Sequence, residues 1–148
     1  MPTLIEPALM RQIIMSHYEN PRNKRTVNDS RYLKVHMNSS SCIDDINVFV
    51  LIENNVIVDC AWDGVGCTIS TASTSVMSEL LIGKTLEEAQ YIIKQYELML
   101  DELPFNDEVL DEAIVFINTS KQPSRLKCAL IGWHGAKGLI TPKGDEHK

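Results

Sequence analysis

A hairpin is written into residues 46–64, "INVFVLIENNVIVDCAWDG". Two β-rich apolar runs flank Asn54-Asn55, and asparagine tolerates the left-handed backbone that so tight a turn needs. Just upstream, "YLKVHM" predicts a short strand leading into three serines and Cys42. Helical spacing takes over on both sides. Near the N-terminus Leu9, Ile13 and His17 fall on one stripe, with Met10 and Ile14 beside it. That helix should stop at Asn20-Pro21, because proline disfavours helix in the residue before it. After the hairpin, Thr and Ser residues open a helix carrying Ile69, Val76, Met77, Leu80 and Leu81, with Gly83 as its C-terminal cap. Thr85 and Glu88 make a capping-box pattern ahead of a second helix through "LEEAQYIIKQYELMLDE". Pro104 interrupts. A short third helix is predicted over "DEVLDEAIVFIN", and Pro123 suits the first turn of a last helix through "SRLKCALIGWHGAKGLI". Strands come first and helices after, which makes an α+β domain with a small antiparallel β-sheet packed against several helices. The 148 residues suffice for one such domain, 1–148, with a frayed tail from about 141.

Composition narrows the function. With a formal charge of -6, the chain is a poor candidate for sequence-independent nucleic-acid binding, which needs Lys and Arg to neutralise phosphates. No apolar run approaches the roughly 18 residues of a membrane span. The opening "MPTLIEPALMRQ" lacks the charged-then-apolar layout of a signal peptide. The expected setting is a reducing, cytoplasmic one, with no membrane and no nucleic acid as partner. There, four cysteines point to metal or thiol chemistry before disulfides. No CxxC pair is present, so zinc-ribbon and thioredoxin-like readings have no support, and any site must be assembled from distant segments. Cys42 lies in a loop before the hairpin, Cys67 at the entrance to a helix, and Cys128 early in the last helix. Aligned backbone dipoles at a helix N-terminus favour a thiolate, clearly for Cys67 and weakly for Cys128. Cys60, inside a strand, reads as a small core residue. Cys42, Cys67 and Cys128 with Asp44 make a three-sulfur, one-carboxylate set that tetrahedral zinc accepts. Thiolates equally suit iron–sulfur clusters. Three unrelated buried thiols are the bland alternative.

"SHYENPRN", "GVGCTISTAST" and "PSRLKCALIGW" occur in that order along the chain. Together they resemble the iron–sulfur cluster assembly proteins of the IscU/NifU N-terminal family, and within it the SufU branch. Two features favour that branch over the scaffold-type IscU proteins. The stretch between Cys67 and Cys128 is long, and the residue before the last cysteine is Lys127, where the scaffold branch typically has histidine. The scaffold branch's proline-rich chaperone-recognition motif has no counterpart, "NTSKQPSR" standing in its place. The resemblance implies one Zn2+ held by Cys42, Asp44, Cys67 and Cys128, with Arg125 as a basic auxiliary residue close by. It also implies a zinc-dependent sulfurtransferase that accepts persulfide sulfur from a SufS-like cysteine desulfurase for downstream iron–sulfur assembly proteins. Cys42 is the favoured acceptor on the branch's pattern, because a loop ligand can swing away, and Cys128 is the alternative. Two rival readings stay open: a scaffold for a [2Fe–2S] cluster on the same ligands, and a divergent, non-catalytic desulfurase-binding protein.

The first motif departs from the family's Asn-Pro-Thr-Cys-Gly-Asp, reading Ser39-Ser40-Ser41-Cys42-Ile43-Asp44. If the loop needs positive φ at Ile43, a β-branched residue there would cost on the order of 1–3 kcal/mol. Structural zinc sites are worth roughly 10–16 kcal/mol, so metal binding is expected to survive. Asp45 would compete with Asp44 if the loop slipped. His17 is read as a helix-end histidine facing carbonyls, His134 as packed or surface, and His36 is left unranked. Trp62 and Trp133 are expected in the core, Asp101 and Glu102 on a solvated face, and the serines of "TISTASTS" in capping or helix packing.

Overall fold

The computed structural model describes residues 6–38 and 43–141. Strands β1 (Leu33–Asn38), β2 (Asp45–Glu53) and β3 (Val56–Val65) form one antiparallel sheet in the order β1-β2-β3. Asn54 and Asn55 both take positive φ, 53° and 65°, and so close the β2–β3 turn as their side-chain chemistry allows. At the other end of the hairpin, Gly64 has φ +114°, and a Cβ there would overlap the Asp45 carbonyl. Glycine therefore lets the end of β3 pass close to the start of β2. This close approach sets the spacing of the loops carrying Asp44 and Cys67.

Four helices follow the expected layout: α1 (Pro7–Glu19), α2 (Thr68–Leu81), α3 (Leu86–Leu100) and α4 (Pro123–Ile140). Helix α1 ends at Glu19 with Asn20 as its cap. Leu9 is 47% exposed, so the core-facing stripe runs through Met10, Ile13 and Ile14 to His17 instead. Thr85 and Glu88 make the full reciprocal capping box on α3, and Gly83 takes φ +89° just past the end of α2. The segment expected as a third α-helix differs. It is a 3-10 turn at Asp107–Val109 followed by a 3-10 helix at Asp111–Lys121. Its buried residues are Ala113, Ile114, Val115, Phe116 and Thr119. Ala113, Phe116 and Thr119 recur every three positions, the repeat of a 3-10 helix, with Ile114 and Val115 buried beside them.

Helix α2 sits at the centre, and every residue from Ser70 to Ser78 is buried. Its hydroxyls would be costly there unless satisfied. Ser73 donates to the Ala129 carbonyl at 2.6 Å and accepts from Trp133 Nε1 at 2.9 Å. Ser78 accepts from Asn23 Nδ2 at 2.9 Å. Trp133 and Tyr96 stack with ring centroids 3.8 Å apart, and Trp62 is fully buried with its indole N–H on the Arg22 carbonyl. The serine-rich run thus ties α2 to its neighbours. No helix among the described residues is long and apolar enough to cross a membrane.

Candidate metal centre

Three of the four expected ligands are described, and they meet. Asp44 directly precedes β2, Cys67 is the N-cap of α2, and Cys128 lies on the second turn of α4. Their ligand atoms all lie within 4.8 Å of one another. Cys42, the fourth expected ligand and favoured acceptor, lies outside the described residues, as do Ser39, Ser40, Ser41 and the tail from 142 to 148. Ile43 is 67% exposed, so its side chain is not drawn into the core.

Local structure explains how the site is aimed. Cys67 closes the first turn of α2, its Sγ accepting from the Ser70 N–H at 3.5 Å. Asp44 is only 2% exposed, and its Oδ1 accepts from the Ser70 hydroxyl at 2.7 Å and the Cys67 N–H at 3.0 Å. Those two donors clamp the carboxylate against the positive end of α2. Gly66 is part of the clamp, since a Cβ there would overlap Ser70 Oγ and press on Asp44 Oδ1. Cys128 is 4% exposed. Burial pushes its thiol well above the usual range, and the neighbouring Cys67 and Asp44 push the same way. Two thiols and a carboxylate crowded this closely resist ionising together, and a dication is what lets them. The donor set therefore fits Zn2+ or another thiophilic ion.

The remaining candidates separate cleanly. Arg125 is exposed on the first turn of α4, three residues before Cys128 and hence on the same side of the helix. Asp45 turns to His36 Nε2, and so has a partner of its own beside the site. Cys60 is fully buried, and burial pushes its thiol up to about 12, as befits an inert core residue. His134 pairs with Glu97 at 3.2 Å on the surface, and Glu102 with Lys121 at 3.3 Å. His17 does not face carbonyls. It is fully buried, with Nδ1 2.7 Å from Ser75 Oγ and Nε2 2.7 Å from Glu112 Oε1. Sequence reasoning missed Ser70 and Gly66. The available signal was their position one turn after and one residue before a helix-capping cysteine.

Similarity to known proteins runs over most of the chain. The family described as NifU-like N terminal domain matches residues 9–121. The zinc-dependent sulfurtransferase SufU of Bacillus subtilis (strain 168) is 36% identical over 138 residues, 92% of each chain. The iron–sulfur cluster assembly scaffold protein IscU of Streptococcus pyogenes serotype M1 is 38% identical over 108 residues, 72% of this chain and 67% of that one. The FiSufU crystal structure from thermophilic Fervidobacterium islandicum AW-1 superposes with a TM-score of 0.77 at 33% identity, covering 87% of this chain and 94% of the other.

Proposed function

The chain belongs to the NifU-like N-terminal domain family, and from that premise we propose that it serves iron–sulfur cluster assembly as a zinc-dependent sulfur acceptor. The observation that carries the reading is the convergence of Asp44, Cys67 and Cys128 within 4.8 Å, from three separate elements. The likeness to SufU, along nearly the whole of both chains, supports zinc over a cluster as the resident group. Cys42, two residues before Asp44 in sequence, is the fourth ligand of this reading, as the family resemblance implies.

When bound, zinc keeps its cysteine ligands deprotonated at neutral pH. Ser70 and the Cys67 N–H hold Asp44 in place, and with Cys67 and Cys128 it would hold the ion while the Cys42 thiolate is free to react. The Cys42 thiolate attacks the outer sulfur of a persulfide on a cysteine desulfurase. A new S–S bond forms on Cys42, the old one breaks, and the desulfurase thiolate departs, so charge and protons balance. The outer sulfur keeps its proton through the transfer, and Arg125, exposed beside Cys128, offers a positive charge to the persulfide formed on Cys42 once it ionises. The sulfur then passes to downstream assembly proteins in a cytoplasmic setting.

The test is to incubate the anaerobic protein with a cysteine desulfurase and L-cysteine, then locate persulfide by mass spectrometry. The expected result is one added sulfur on Cys42, faster desulfurase turnover, and loss of both in Cys42→Ser. Tight complex formation with neither effect would replace this reading with that of a desulfurase-binding protein. The likeness to the S. pyogenes scaffold favours a second reading, a [2Fe–2S] cluster on the same ligands. Iron with acid-labile sulfide in the isolated protein, and no zinc, would select it.

A further inference from the structure

A second cluster of metal-binding side chains lies well away from the first. His17, Glu79 and Glu112 bring one ligand atom each within 4.8 Å of the others. Glu79 is twelve residues past Cys67, which along α2 is about 18 Å. His17 closes α1, Glu79 ends the exposed side of α2, and Glu112 opens the 3-10 helix, so the three tie distant parts of the chain together. We propose that these residues form a site for a divalent cation of the first transition row, bound through nitrogen and oxygen.

Three features carry the assignment. The first is the imidazole, which is fully buried and anchored. Its Nδ1 bonds Ser75 Oγ at 2.7 Å, and that oxygen is itself fixed by the Arg22 N–H at 2.8 Å. Metal-bound histidines are oriented in this way, one nitrogen tied to the protein and the other turned to the ion. The second feature is what the other nitrogen faces. His17 Nε2 lies 2.7 Å from Glu112 Oε1 and 3.9 Å from Glu79 Oε1. Two carboxylates therefore lie beside the one nitrogen, and a cation among them can engage all three donors at once. The third feature is room. A cavity of about 120 Å³ is lined by Val76, Glu79, Leu80, Lys84, Asp111 and Glu112. It adjoins the two carboxylates, Glu79 and Glu112, and leaves room on their side for the few waters, each about 30 Å³, that would complete the ion's coordination. Asp111 adds a third carboxylate to the wall. Lys84, the cation lining it, donates to the Leu80 carbonyl at 3.1 Å. Without thiolates, the donor set selects zinc-, cobalt- or iron-like dications on imidazole and carboxylate.

Cobalt(II) distinguishes the two sites, because only thiolate ligands give intense sulfur-to-metal charge-transfer absorption. The metal-stripped full-length protein, titrated with Co2+ without oxygen, should bind two equivalents, one with that absorption and one without. Cys128→Ser should lose the first and keep the second. Glu79→Gln with Glu112→Gln should weaken the second by more than about tenfold and leave the thiolate band intact. Circular dichroism, with Glu79→Gln alone as the milder variant, verifies that the fold persists. The second equivalent should also raise the melting temperature of Cys128→Ser, since a bound ion favours the folded state. A single equivalent in the unmutated protein, or a second one indifferent to both glutamate changes, would overturn the assignment. Loss of the thiolate equivalent alone would count against the sulfur-acceptor reading and leave this one standing.

Discussion

The two ends of α2 hold different chemistry on the same rod. At its N-terminus, Cys67 and Ser70 face Asp44 and Cys128, a group of acids that oppose one another's ionisation. Toward its C-terminus, Ser75 and Glu79 face His17 and Glu112, where a buried imidazole is hydrogen-bonded on both nitrogens, to Ser75 and to Glu112. Hydrogen bonds already tie the second group together. In the first group, burial and the neighbouring Cys67 and Asp44 hold the Cys128 thiol well above its usual range, at the helix end whose dipole favours anions. The difference teaches that the sulfur end carries a donor set a thiophilic ion fits. The imidazole end joins α1 to the rest of the fold whether or not an ion is present.

The largest expected effect breaks the comparison at the sulfur end. Cys128→Ser should reduce zinc affinity by more than about 100-fold, beyond the 10–100-fold that losing a supporting residue costs, and should abolish desulfurase stimulation. Competition with a chromophoric chelator measures the first and sulfide release the second. A smaller effect sharpens it. Ser70→Ala removes a hydroxyl from Asp44 and no ligand, so zinc affinity should fall about 10–100-fold while folding persists. Ser75→Ala, on the same helix, should leave that affinity unchanged, because Ser75 serves His17. Equal losses in the two variants would mean the ends are coupled. The smallest effect touches neither end. Burial alone would raise the pKa of Glu97, but hydrogen bonds from His134 and Lys137 outweigh it and leave it lowered. A lowered folded pKa gives stability that is present above the unfolded value, near 4.3, and lost as pH falls through the folded value. Glu97→Gln should therefore flatten the acid limb of stability by less than about 1 kcal/mol, read from urea midpoints at neutral and acid pH, with metal binding untouched.

What was legible in the sequence was mostly local. Asn54-Asn55, the Thr85–Glu88 box, Gly83 and Pro123 act within a few residues, so the elements they bound could be placed without the fold. The 3-10 helix was harder, because Leu110, Ala113 and Phe116 suit either helical period until their shared burial is seen. Ser70 and His17 were not legible at all in these roles. Their partners lie 26 and 95 residues away, at Asp44 and Glu112, and no spacing rule spans such gaps. The convergence of Asp44, Cys67 and Cys128 was an expectation drawn from family resemblance, since periodicity is silent on which loops meet. Leu9 shows the opposite failure: its spacing fits the buried stripe, yet it is exposed while Met10 beside it packs against the core.

The most direct test is zinc K-edge X-ray absorption on the protein loaded with one equivalent of zinc. The expected result is a shell of sulfur atoms at about 2.3 Å with a lighter oxygen or nitrogen scatterer inside it, and loss of sulfur from that shell in Cys128→Ser. A first shell of nitrogen and oxygen alone, near about 2.0 Å and unchanged in the variant, would contradict it.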